Sequence, residues 1–146
     1  MRKTNSKSTR GKNQRGSAVL EFALGSTILI PLLFGVADFG RLFYASIEVA
    51  NAAAAGASYG SRTVANMTDT TGISSAAKND APDISSLTVA SSVVCQNDEG
   101  EAASCTTSGV YKYVQVTASY TFNTLFSYPV IPSSVALTKT VMMRGQ

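Results

Sequence analysis

With 146 residues, 14% of them charged, and a mean hydropathy of +0.10, the chain has room for one membrane segment and one small polar domain. Its net charge of +3 is local: Arg2, Lys3, Lys7, Arg10, Lys12 and Arg15 stand in the first 16 residues without an acid, and the remaining 6 basic and 9 acidic residues sum to −3. That distribution excludes a nucleic-acid-binding domain, which spreads cations over a folded surface, and the absence of His excludes Ser–His and Cys–His nucleophile pairs.

Residues 1–16 read as a basic cytoplasmic leader suited to anionic lipid. Residues 17–38 read as a transmembrane helix. From Phe22 to Ala37 there are 16 residues without a charge. As a helix, the stretch Ser17 to Ala37 spans about 31 Å, close to the hydrocarbon thickness. The basic flank places the N-terminus inside and the C-terminal domain outside. A removed Sec-type signal fits less well, because no early Ala-x-Ala site follows and the helical pattern continues instead. Pro31 predicts a kink over residues 27–31, which the hydroxyls of Ser26 and Thr27 soften by bonding back to helix carbonyls.

Residues 39–64 read as an amphipathic continuation of the same helix. A mostly polar stripe runs through Arg41, Tyr44, Glu48, Asn51, Ala55, Ser58 and Arg62. The other faces carry Phe39, Leu42, Phe43, Ile47, Val49 and Ala50, then alanine and glycine. Gly56 and Gly60 have the spacing of a helix–helix contact, but packing on the protein's own sheet is the stronger expectation beyond the bilayer. Asp38 and Arg41, three apart, read as a surface pair or an interfacial anchor.

Residues 65–83 form a Ser/Thr/Asn/Asp-rich connector with room for a short helix over 71–79, stopped by Pro82. Residues 84–146 read as an antiparallel β domain with strands over 84–95, 110–122 and 134–144. In the second, Val110, Lys112, Val114, Val116, Ala118, Tyr120 and Phe122 share a face. Cys95 and Cys105 flank a polar loop, and a bridge between them suits an oxidising compartment. Pro129 and Pro132 interrupt pairing before the third strand. Two thiols without His cannot complete a structural zinc site, and the acidic cluster Asp98, Glu99, Glu101 has no calcium-loop spacing. No cofactor, metal site or catalytic set is expected. The expected fold is α+β: a long N-terminal helix, membrane-spanning in its first half and amphipathic in its second, packed on about three antiparallel strands.

Glu21 stands alone at the head of the apolar run, where an unpaired carboxylate is costly. Basic leader, Gly16, four residues, Glu21, Phe22, apolar helix: this order resembles the class III signal of type IV pilins and pseudopilins. The segment from Arg15-Gly16 through Glu21-Phe22-Ala23-Leu24, Pro31, Phe34-Gly35 and Asp38-Phe39-Gly40-Arg41 to the alanine-rich stretch resembles, more narrowly, the TadE-like proteins of tight-adherence pilus systems. The resemblance covers about the first 60 residues. It implies a pilin-like fold and a minor pseudopilin subunit of the cytoplasmic (inner) membrane. It implies cleavage between Gly16 and Ser17 by a prepilin peptidase, and pairing of the freed amine with Glu21 beside Phe22. It also implies assembly with the major Flp pilin, other pilin-like subunits and the pilus platform, with a role in adherence and biofilm. An uncleaved, single-pass anchored binding or scaffold protein is the alternative, and a secreted enzyme a weaker third.

Overall fold

The computed structural model describes residues 14–126 and 132–146. Most of the basic leader, residues 1–13, and Pro129 lie outside the described residues. The element order is α1 (Gln14–Gly60), α2 (Val64–Thr68), α3 (Thr70–Asp80), β1 (Thr88–Gln96), β2 (Tyr111–Asn123) and β3 (Ser134–Arg144). This is the expected α+β arrangement of a long helix and a three-stranded antiparallel sheet. Contacts divide the chain into a unit ending at Ala37 and a unit Asp38–Gln146.

In the first unit, residues 16–37 form helix and none of them is buried. Large apolar side chains such as Phe22, Ile28 and Val36 stand open around the axis. α1 is long and apolar enough to cross a membrane. Pro31 sits inside it and frees the carbonyl of Thr27. The expected back-bonding occurs one turn earlier than that carbonyl: Ser26 Oγ donates to Ala23 O at 2.9 Å and Thr27 Oγ1 to Leu24 O at 2.7 Å.

The second unit is two-layered. The sheet has the order β1-β2-β3, with Val93 opposite Val114 and Val116 opposite Val141. Period-two alternation puts Val114, Val116, Ala118 and Phe122 of β2 on the covered face, as their spacing predicts, while Lys112 stays exposed. The opposite face is joined by hydroxyl pairs, Thr117 with Thr140 at 2.9 Å and Ser119 with Thr138 at 3.3 Å.

The helical layer is possible because one side of α1 is small. Ala45, Val49, Ala52, Gly56 and Gly60 recur at intervals of three and four, and all are buried. A Cβ on Gly60 would stand 2.9 Å from Val114 Cγ1 and 3.1 Å from Ile73 Cδ1; one on Gly56 would stand 3.2 Å from Val116 Cγ1. The glycines therefore serve the protein's own sheet and α3. Two clusters result: Val49, Ala52, Ala53, Ala77, Ile84, Leu87 with Ala118, and Ala57, Met67, Ile73 with Val114 and Val116.

The connector is more helical than its composition predicts. Thr63 caps α2 by accepting from Asn66 N at 3.2 Å, and Asp69 caps α3 by accepting from Gly72 N at 2.9 Å. Tyr59, in the last turn of α1, donates its hydroxyl to the other Asp69 oxygen at 2.8 Å. Cys95 and Cys105 are joined in a disulfide that closes the polar loop after β1. In the chain-entropy model a loop of that size contributes about 2–3 kcal/mol.

Overpacking at the closest approach is expected to destabilise the fold. Gly60→Val should lower stability by about 1–3 kcal/mol, read as a reduced denaturant midpoint of the full-length protein in detergent. The Tyr59–Asp69 pair should contribute to both pH limbs of stability. The Gly72 amide and the Tyr59 hydroxyl hold the Asp69 carboxyl below its usual value, and the Asp69 bond raises the Tyr59 hydroxyl. Asp69 therefore stabilises the fold above the usual aspartate range, and this is lost as pH falls through its lowered value. Tyr59 stabilises it below the usual tyrosine value and loses this as pH rises through its raised one. Asp69→Asn should be less stable at neutral pH with a shallower acid limb, and Tyr59→Phe should flatten the alkaline limb, both followed by circular dichroism.

Candidate functional site

The sequence-selected residues Gly16, Ser17, Glu21 and Phe22 all fall in the first turns of α1. The helix begins at Gln14, so it runs through Gly16, and the space a Cβ would occupy there is open to 4 Å. Four residues is about one turn, so Ser17 and Glu21 stack on one face. Ser17 Oγ donates to Glu21 Oε1 at 3.3 Å. Glu21 also lines a shallow apolar depression with Phe22, Gly25, Ser26 and Leu29, where the two small residues leave room between large ones. The arrangement offers a single carboxylate at the edge of an apolar surface, with one hydroxyl as its partner. It offers no nucleophile–base pair. Cys95 and Cys105, both in the disulfide, lie in the β domain and take no part in it.

A second polar cluster was not visible as such in the sequence. Asp38 is 5% exposed, the only buried charged side chain among the described residues. Its Oδ1 accepts from Arg41 Nη1 at 3.0 Å, and both carboxylate oxygens accept from the backbone N–H of Leu125 at 3.1 Å. Arg41 in turn lies over the Phe122 ring, 5.2 Å from its centroid. The pair expected at the surface is thus a half-buried clamp that fixes the start of the β2–β3 loop to the helix. The position of Asp38, directly after an uncharged run and three before Arg41, was legible; its partner 87 residues away was not.

The acidic loop is organised locally. Asn97 Oδ1 accepts from Glu99 N at 3.1 Å and Glu101 N at 2.8 Å, and Gly100 takes a φ of +83°, which favours glycine. Glu99 and Glu101 remain exposed.

Comparison with known proteins bears out the resemblance of the N-terminal helix. Residues 16–58 match the family model described as TadE-like protein, a pilus-associated structural family. That match runs from Gly16 through Glu21 and the Asp38–Arg41 pair to the alanine-rich turns. No curated protein and no solved structure matches the chain.

Removing the clamp carboxylate should release the loop without unfolding the sheet. Asp38→Ala leaves the Leu125 amide without its acceptor and should cost about 1–3 kcal/mol. Amide hydrogen exchange at Leu125 should accelerate, while Val114 and Val116 on the central strand keep their protection.

Proposed function

We propose that this chain, TadE-like over residues 16–58, is a minor pilin-like subunit that helps assemble tight-adherence type IV pili. The observation that carries this reading is Glu21. It is a lone carboxylate at the head of a 16-residue uncharged run, one turn from Ser17 and five residues from Gly16, inside the matched segment. In the proposed topology residues 17–38 cross the cytoplasmic membrane, residues 1–16 stay inside and the β domain lies outside, where the disulfide is stable.

A prepilin peptidase cuts the Gly16–Ser17 bond on the cytoplasmic side. The turn around Gly16 must unwind to enter its site, and glycine costs a helix about 1 kcal/mol relative to alanine, which eases that step. Cleavage leaves Ser17 with a free α-amine at the positive end of the helix dipole. That amine, or the amine of a neighbouring subunit, is a stronger partner for Glu21 than the Ser17 hydroxyl is. A charged pair in apolar surroundings, made between chains, sets their axial register. Phe39, Phe43 and Ile47 support the same reading. They recur every four residues along one exposed face of α1, with Phe39 and Phe43 edge to face at 4.9 Å. Such a stripe suits contact with helices of the major Flp pilin, other pilin-like subunits or the membrane platform.

An uncleaved single-pass anchor is the second reading. It is favoured by the continuity of α1 through Gly16 and by the Ser17–Glu21 hydrogen bond, which gives the carboxylate a partner without any processing.

The two readings part at Gly16. On the first, mass spectrometry of protein from cells with active prepilin peptidase shows Ser17 at the N-terminus. Gly16→Leu stays unprocessed, and Glu21→Ala is processed normally but supports no surface pili. Retention of the leader in the wild type would establish the anchor reading, and normal piliation by Glu21→Ala would remove the ion pair.

A further inference from the structure

The strands of the β domain place their charges against the usual order. A sheet with one covered face normally turns its charged side chains to solvent on the other. Here the strands carry three charges, Lys112, Lys139 and Arg144. Lys112 stands opposite Cys95 and Lys139 opposite Ala118, in the rows of the covered face. Of the strand charges only Arg144 belongs to the open face, and its guanidinium is stacked on Tyr111, 3.8 Å from the ring centroid. The rest of that face is polar without charge. Along β2 it carries Tyr113, Gln115, Thr117, Ser119, Thr121 and Asn123, a row about 33 Å long.

At the Asn123 end the face is concave. Ser86, Thr88, Ser119, Thr121, Asn123 and Thr138 line a groove of about 320 Å³, with Ala136 as a small residue among larger ones. Ser119 and Thr138 share one hydrogen bond at 3.3 Å. The side chains of Ser86, Thr88, Thr121 and Asn123 have no protein partner among the described residues. Each hydroxyl can donate and accept, and the Asn123 amide does both in one plane. None of the described residues lining the groove is charged.

That chemistry selects a ligand. An anionic polymer calls for a cationic surface, and an amphipathic helix calls for an apolar groove. Uncharged donors and acceptors in a row, with an aromatic ring at one end, match a neutral polyhydroxylated chain. We propose that the open face of the sheet, from the groove at Asn123 to Tyr113, binds a neutral oligosaccharide laid along β2. Its hydroxyls take over the hydrogen bonds that solvent otherwise makes to Thr88, Thr121 and Asn123. The apolar side of a sugar ring rests on Tyr113, which is half-buried and presents an amphipathic ring. Each contact is weak, because it exchanges a bond to water for a bond to the ligand. Affinity therefore comes from repetition along one chain of sugars. The inference concerns the β domain alone and goes beyond the proposed function.

The test is backbone amide NMR of isotope-labelled full-length protein in a zwitterionic detergent that carries no sugar. The neutral probes are maltohexaose, cellohexaose, chitohexaose and mannohexaose; hexagalacturonate is the anionic one. At least one neutral hexasaccharide should give saturable shifts at Thr88, Thr121, Asn123 and Thr138. Ile73 and Ala77, buried in α3, should not move, and they report that each variant is folded. The matching disaccharide should bind about tenfold more weakly, since it spans only part of the row. Ala136→Trp fills the groove and should weaken the hexasaccharide about tenfold. Tyr113→Leu removes the ring at the other end and should weaken it several-fold. Lys139→Gln, on the covered-face row, should bind as the wild type does. No saturable shift with any neutral hexasaccharide overturns the proposal. Equal affinity for hexagalacturonate overturns it, as does undiminished binding by Ala136→Trp and Tyr113→Leu. Shifts at the same residues on raising the protein concentration without sugar show a second copy covering the face, and they overturn it too.

Discussion

The fold depends on how closely α1 approaches β2. At Gly60 the gap leaves no room for a methyl group, and at Gly56 it leaves barely enough. That constraint explains the run of alanine and glycine from Ala52 to Gly60 better than helix propensity does, since glycine weakens a helix interior. Small residues forgo area per side chain but admit Ile73, Val114 and Val116 to full burial. The core is therefore built from the large side chains of α3 and the sheet, pressed into a flat helix face.

Polar groups fix both ends of this contact. At one end Asp38 joins α1 to Leu125 just after β2 ends. At the other, Tyr59 joins α1 to Asp69, which in turn caps α3 through Gly72. Gln146 N donates to Ser61 O at 3.2 Å, tying the residues after β3 to the end of α1, and Gly145 N donates to Lys112 O at 2.9 Å, tying them to β2. A face of alanines and glycines has little shape to resist sliding, so register along the helix falls to directional bonds at its ends.

The same division explains what could be read in the sequence. Periodicity is local, so α1 was expected over about 17–64 and occurs over Gln14–Gly60; the second strand was expected over 110–122 and occurs over Tyr111–Asn123. The Cys95–Cys105 bridge followed from spacing around a turn-rich loop. Tertiary pairing is not local. Nothing within a few residues of Asp38 identifies Leu125 as its partner, so an i,i+3 ion pair was the natural expectation. The connector was read from composition, and composition does not report caps: Thr63 and Asp69 each stabilise a helix start that five or eleven residues of weak propensity would not hold alone. Of the site, Gly16, Ser17, Glu21 and Phe22 were legible because their meaning lies in their spacing along one helix.

The two units solve opposite problems with one helix. Residues 38–60 spend their small face on the sheet and leave Phe39, Phe43 and Ile47 outside. Residues 16–37 bury nothing and have no polar side chain at the surface beyond Ser17, Glu21, Ser26 and Thr27. The hydroxyls of Ser26 and Thr27 are already turned onto the backbone, and that of Ser17 onto Glu21. Glu21 is thus the one group in that stretch whose bonding capacity is largely unspent, since a carboxylate accepts at about four sites and one hydroxyl fills one. In water this would mean nothing. In an apolar medium it makes Glu21 the position at which a cation gains most, and the surrounding helix surface offers no competing partner. The same helix thus packs against the sheet from residue 38 onward, and over residues 16–37 it leaves one side chain, Glu21, with acceptor capacity to spare.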